Sequence, residues 1–195
     1  MNEPDIQEPS VVVIGASVGA IEALSLLLPV LPPDYPFAVV VVVHVPPDRD
    51  SLLSSLFVSR CEMKVKEAED KELLTAGTIY FAPADYHLMI EPDGRLSLSN
   101  EDPVRFSRPS IDVLFETAAD ALGDQVIGVV LTGGNHDGAK GLRSICDAGG
   151  RAWVQLPSEA EGAAMPEAAA EACPEAIVLP VQGIATALKS LHSRR

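Results

Sequence analysis

Five consecutive valines at positions 39–43 constrain this chain more than any other feature. A β-branched run with no polar residue has no face to turn toward water, so the strand it forms must be buried on both sides, as in a parallel sheet covered by helices. Residues 11–16 and 126–131 are apolar, valine-rich runs of the same kind. Between the first two such runs lie residues 21–28, which are good helix formers and end at Pro29, Pro32 and Pro33. Strand, helix and strand make a βαβ unit, whose crossover is right-handed.

The remaining chain continues the alternation. Leu52, Leu53, Leu56 and Phe57 share one helical face, which predicts a helix over 49–60, and residues 62–76 read as a polar connection. Residues 78–82, 87–91 and 95–99 are short and alternating, with Pro92-Asp93-Gly94 as a turn, and predict an antiparallel hairpin at the edge of the α/β frame. Pro109-Ser110 caps a helix carrying Asp112, Leu114, Phe115 and Ala118. Further helices are expected over 138–148, 166–172 and from about 180 to His192, alternating with strands over 151–155 and 176–179. The expected organisation is a short tail, 1–10, followed by one α/β domain over 11–195, with no internal repeat and no linker.

Charge and cysteine content narrow the partners. A formal net charge of -14 opposes phosphate neutralisation, so nucleic acid is not expected to bind, and the same sign disfavours attachment to an anionic membrane surface. No apolar run approaches the roughly 20 residues of a membrane span, and the acidic N-terminus lacks the basic region of an export signal. Cys61, Cys146 and Cys173 are widely spaced, odd in number and never in a CxxC pair, so neither a disulfide framework nor a zinc site is expected; Cys146 and Cys173 read as core or near-core residues. A cytoplasmic protein is the expectation.

Gly15-Ala16-Ser17-Val18-Gly19 lies where the first strand meets the first helix and fits the G-x-S-x-G pattern, in which glycines allow a sharp turn that lifts a serine hydroxyl from the sheet. The free N–H groups at such a helix start can bind a developing oxyanion. A capping serine would look the same in sequence. A serine nucleophile needs a base, and His44, directly after the valine run, reaches the carboxyl edge of the sheet where sites of open α/β folds form. A carboxylate must then orient the imidazole. Asp137, in the loop Thr132-Gly133-Gly134-Asn135-His136-Asp137-Gly138, reaches the same edge, although it could equally cap the next helix; Asp48, Asp50 and Asp85 are less well placed.

His136 is a rival base or a substrate contact, His87 borders the site, and Arg105 and Arg108 could orient an acidic peptide through its carboxylates. His44, His87 and His136 have no metal-ligand spacing, so no metal and no cofactor are expected. The order Ser, His, acid also differs from the Ser, acid, His order of α/β-hydrolases.

Taken together, these residues resemble the catalytic domain of the chemotaxis protein-glutamate methylesterases, over nearly the whole chain from Val11 to about Leu188. The resemblance is carried by Ile14-Gly15-Ala16-Ser17 with Gly19, His44-Val45-Pro46-Pro47, Tyr80-Phe81-Ala82-Pro83 with His87, the 108–115 segment from Arg108 to Phe115, Leu131-Thr132-Gly133 with Asp137-Gly138, and Met165-Pro166. It implies a doubly wound, mostly parallel α/β sheet flanked by helices. It also implies that Ser17, His44 and Asp137 are nucleophile, base and acid, with backbone N–H groups near Val18 and Gly134 as the oxyanion site. The implied reaction is hydrolysis of glutamate 5-O-methyl esters on a methylated chemoreceptor or similar signalling protein, releasing methanol, with glutamine deamidation in some members and no cofactor.

Departures from the family pattern concern the site loop and the N-terminus. The usual loop Gly-Met-Gly-Asn-Asp-Gly is Gly133-Gly134-Asn135-His136-Asp137-Gly138 here, so the family's methionine aligns with Gly134. Val18 and Ala20 stand where a threonine and a glycine are usual. The ten residues before the first strand are too few for the receiver domain such proteins carry, so constitutive activity, control by a separate partner, or recruitment to a pathway other than chemotaxis is expected. Two other readings share the fold: a non-catalytic signalling module and an esterase for another substrate.

Overall fold

A computed structural model describes residues 10–44 and 53–192. The expected tail, the Val45-Pro46-Pro47 segment, Asp48, Asp50 and the first residues of the 49–60 helix lie outside the described residues. In chain order the elements are β1 (Val11–Ala16), α1 (Ala20–Leu27), β2 (Ala38–Val43), α2 (Leu53–Val58), β3 (Lys64–Glu67), β4 (Thr78–Phe81), β5 (His87–Ile90), β6 (Leu96–Ser99), α3 (Ile111–Leu122), β7 (Val126–Val130), α4 (Ala139–Asp147), β8 (Arg151–Gln155), α5 (Ala164–Ala172), β9 (Ile177–Leu179) and α6 (Val181–His192).

Seven strands form one parallel sheet in the order β3-β4-β2-β1-β7-β8-β9, and β5 and β6 form a separate antiparallel hairpin. Chain order runs outward from β1 through β2 on one side and through β7, β8 and β9 on the other. The strand order therefore reverses between β1 and β7, the switch point at whose carboxyl end open α/β sheets place their sites.

The doubled burial expected of the valine runs is present, since every residue of β1, β2 and β7 is buried. Val12, Ile14 and Ala16 of β1 pack on one face with Leu24 and Leu27 of α1 and Ile184 and Leu188 of α6. Val11 and Val13 pack on the other with Ile111, Leu114 and Phe115 of α3, Leu142 of α4 and Met165 of α5. Each fully buried branched side chain contributes roughly 1.5–3 kcal/mol relative to exposure, so the face-to-face alternation of a six-residue strand fixes its register strongly.

Three expectations are corrected. Residues 78–81 pair in parallel with β2 as an inner strand instead of joining the hairpin; all four are buried, so apolar contact on both faces outweighs the short alternating pattern. Within the polar 62–76 connection, β3 adds an edge strand, and its lysines suit an edge open to water. The cysteines are also paired: Cys146 near the end of α4 and Cys173 at the end of α5 form a disulfide across 27 residues of sequence, a juxtaposition that helix packing creates and linear spacing hides. Cys61 remains a free thiol, and its half-buried site raises its pKa to about 11, against a small opposing pull from Arg60.

Candidate active site

Ser17 follows the last residue of β1 and precedes the α1 cap at Gly19, whose φ of 78° is left-handed. The turn is fastened from both sides, since the Ser17 N–H donates to the Thr132 carbonyl at 2.9 Å and the Ser17 carbonyl accepts from Ala20 N–H at 2.9 Å. Glycine is needed at 19 because a Cβ there would lie 2.8 Å from Glu161 Cβ as well as forcing a strained φ. Ser17 does not cap α1, and its partly exposed hydroxyl has no hydrogen bond among the described residues. The capping explanation for this serine is therefore removed.

His44 leaves β2 at the neighbouring strand end, and its N–H donates to the Ala16 carbonyl at 3.1 Å, which ties its backbone to the residue before Ser17. Its Nε2 lies 2.7 Å from Asp137 Oδ2. Asp137 is fully buried and is not the α4 cap, a place taken by Gly138. Its carboxylate accepts four hydrogen bonds: His44 Nε2 and Ile111 N–H on Oδ2, both at 2.7 Å, and Ser110 Oγ and Asp112 N–H on Oδ1, both at 2.9 Å. Burial alone would raise its pKa, but the bonds from His44 and from the Asp112 and Ile111 N–H groups prevail and hold it below the ordinary carboxylate range.

The start of α3 is thus the mould for the acid. Gly138, with φ 95°, lets it close against the sheet, because a Cβ at 138 would sit 2.7 Å from Ile111 Cγ2. Asp112 completes the mould from beneath, its Oδ1 accepting from Gly138 N–H at 2.9 Å and Gly141 N–H at 2.8 Å at the start of α4. Its buried Oδ2 has no hydrogen bond among the described residues and faces Arg105 Nε at 3.7 Å.

Burial, followed by the nearby Asp137 charge, raises the Asp112 pKa against the opposing pull of those N–H groups and Arg105. A carboxyl raised in the folded state penalises folding above its folded pKa and not below the unfolded value near 4. Asp112→Asn keeps the Oδ1 acceptor without the charge. It is expected to melt at a higher temperature than wild type at neutral pH, with the difference closing toward about pH 4; melting curves at both pH values check this.

Asn135 fixes the imidazole tautomer. The Asp137 N–H can only donate, so the atom it meets at 3.0 Å is Asn135 Oδ1, and the Nδ2 amide must be the atom facing His44 Nδ1 at 3.3 Å. Nδ1 then carries the lone pair, and the ring proton sits on Nε2, donated to Asp137.

The two residues expected to supply oxyanion donors, Val18 and Gly134, lie close together, since a Cβ built at Gly134 comes within 3.8 Å of Val18 Cγ1. Neither the Val18 nor the Gly134 N–H has a partner among the described residues, while the Val18 carbonyl is held by Thr132 Oγ1 at 2.8 Å. A Cβ at Gly134 would meet only Val18 Cγ1, at 3.8 Å, and its φ is not in the left-handed region. Gly134→Ala should accordingly stabilise the fold by about 0.4–1 kcal/mol by restricting the unfolded chain, measured by denaturant melts.

The four other predicted contacts divide. His136 and Arg105 are exposed and line, with Lys140, Glu167 and Glu171, a cleft of about 540 Å³ beside the site loop. Arg108 is committed elsewhere, bonding Asp85 Oδ1 through Nε and Nη2 and the Asn100 and Glu101 carbonyls through Nη1. His87 is buried, Nδ1 accepting from Ser110 N–H and Nε2 donating to the Asp102 carbonyl, so it supports the acid's mould from behind and does not reach the open edge. Among the described residues the single group close enough to share an ion is Cys146, Cys173 and Glu175, whose two sulfurs are already joined.

The family model described as CheB methylesterase matches residues 12–188. The chain belongs to the CheB methylesterase family. It is 47% identical over 174 residues to a protein of Leptospira interrogans named putative protein-glutamate methylesterase/protein-glutamine glutaminase, covering 89% of this chain and 90% of that one. A Symbiobacterium thermophilum protein named protein-glutamate methylesterase/protein-glutamine glutaminase is 36% identical over 91% of this chain, which spans 49% of its length. The crystal structure of the Thermotoga maritima CheB methylesterase catalytic domain superposes with a TM-score of 0.89 at 33% identity, covering 95% of this chain and all of that one. The doubly wound sheet with its hairpin is thus the CheB catalytic fold. No helix among the described residues is long and apolar enough to cross a membrane.

Proposed function

We propose that this CheB family member is a serine hydrolase that removes methyl groups from glutamyl esters of methylated chemoreceptors, and that it also deamidates glutamine. The observation that carries the reading is the His44–Asp137 hydrogen bond at the switch point, one strand end from an unbonded serine hydroxyl. The names of the relatives supply the substrate class.

His44 Nδ1 takes the Ser17 proton as Oγ attacks the ester carbonyl, and the imidazolium so formed is stabilised by the Asp137 carboxylate at Nε2. The carbonyl electrons move onto oxygen, where the Val18 and Gly134 N–H groups receive them. As the tetrahedral adduct collapses, the bond to methoxide breaks, Nδ1 returns its proton, and methanol leaves. Water then attacks the glutamyl-serine ester with the same base, freeing the glutamate carboxyl and Ser17. With a glutamine side chain the same sequence expels ammonia.

Methanol release from membranes carrying methylated receptors, together with labelling by a serine-directed fluorophosphonate, tests the reading. Release and labelling are both expected. Labelling without release would point to an ester of another kind, and a folded chain giving neither would be a binding module.

A further inference from the structure

The imidazole nitrogen that Asp137 leaves free is already occupied. The Asn135 amide donates to Nδ1 at 3.3 Å, and its other end is held by the Asp137 N–H at 3.0 Å, so the side chain spans from the acid's backbone to the base's lone pair. Ser17, which must give its proton to that same lone pair, has no side-chain hydrogen bond among the described residues. One nitrogen lone pair accepts one strong hydrogen bond, so the two donors exclude one another.

We propose that Asn135 is a gate on the catalytic base: its side-chain amide competes with the Ser17 hydroxyl for His44 Nδ1, and the site becomes reactive when the amide swings away. The proposal rests on reading Ser17 and His44 as nucleophile and base. The closed arrangement holds the imidazole in the tautomer with its proton on Nε2 while denying Nδ1 to the serine. Its opening involves one side chain and two neutral hydrogen bonds, the amide's to Nδ1 and the one that Oδ1 accepts from Asp137 N–H. The restraint on rate is therefore roughly 5- to 100-fold.

The test is the rate of Ser17 labelling by a fluorophosphonate across pH, in the full chain, with Ser17→Ala as the blank. Asn135→Ala removes the competing donor and is expected to label roughly 5- to 100-fold faster than wild type. Asn135→Asp keeps the oxygen that holds the Asp137 N–H but offers Nδ1 no donor, and its carboxylate favours a protonated ring. Its labelling curve is expected to move to higher pH. The other charges ranged behind the imidazole, Asp137 on Nε2 and Asp112 beneath it, are unchanged in both variants.

Asn135→Ala labelling at or below the wild-type rate would overturn the gate. Should that variant not fold, an Asn135→Asp curve superposing on wild type would do so, because no group at 135 would then be touching Nδ1. No labelling of wild type or either variant would sink the nucleophile assignment together with the gate, whereas labelling confined to Asn135→Ala would show the gate fully shut in the resting enzyme.

Discussion

Ser17→Ala is expected to lower methanol release from methylated receptor membranes by on the order of 10⁴-fold or more, with little change in melting temperature. The two halves of that expectation have separate causes. The turn is held by backbone bonds from Ser17 N–H to Thr132 and from Ala20 N–H to Ser17, which alanine keeps. The hydroxyl has no hydrogen bond among the described residues, so its loss leaves no buried partner stranded. An alanine variant that folds as wild type and releases methanol at the wild-type rate would remove Ser17 from the chemistry.

Asp137→Asn carries the second large effect, and here activity and stability fall together. In serine triads of other proteins, the change from acid to amide costs about 10⁴-fold in turnover because the imidazole is held in the wrong tautomer. The same is expected here, since the amide nitrogen cannot accept the Nε2 proton of His44. Unlike Ser17, Asp137 is enclosed by four donors, from His44, Ser110, Ile111 and Asp112. An amide has one accepting oxygen, so donors on the other side meet an N–H group, and a loss of about 3–5 kcal/mol is expected.

The pH dependence follows from the lowered Asp137 pKa. The stabilisation is present above the unfolded carboxylate value near 4 and lost as pH falls through the folded value, so wild type and variant converge in acid. Denaturant melts from neutral to acidic pH measure the convergence. A constant gap would mean that shape rather than charge was lost.

Legibility in the sequence followed the physics of each residue. The valine runs announced a parallel sheet because nothing polar interrupts them, and β1 and β8 have the predicted bounds. Where a strand is short, its neighbour is decided by tertiary contact, which is why β4 was expected beside the hairpin and lies beside β2. Ser17, His44 and Asp137 could be proposed because strand ends in such a sheet converge on one edge. The mould around Asp137 was less legible. Ser110 and Asp112 read as cap and first turn of α3, and their bonds to a residue 25 or more positions away follow from how α3 meets α4. Asn135 gave no signal, because an asparagine in a glycine-rich loop has many uses and only the distance to Nδ1 selects one.

The reversal of strand order between β1 and β7 also governs when this protein can begin to work. His44 and its acid are 93 residues apart, and the strand that positions the acid pairs with the first strand of the sheet. Contacts so distant in sequence form slowly and only after long loops have closed. During synthesis, Ser17 and His44 emerge well before the loop that carries Asp137, so under the proposed mechanism a partly made chain is expected to be silent toward esters. Regain of hydrolysis during refolding would therefore report the docking of β7 on β1, a late event that strand content alone would miss.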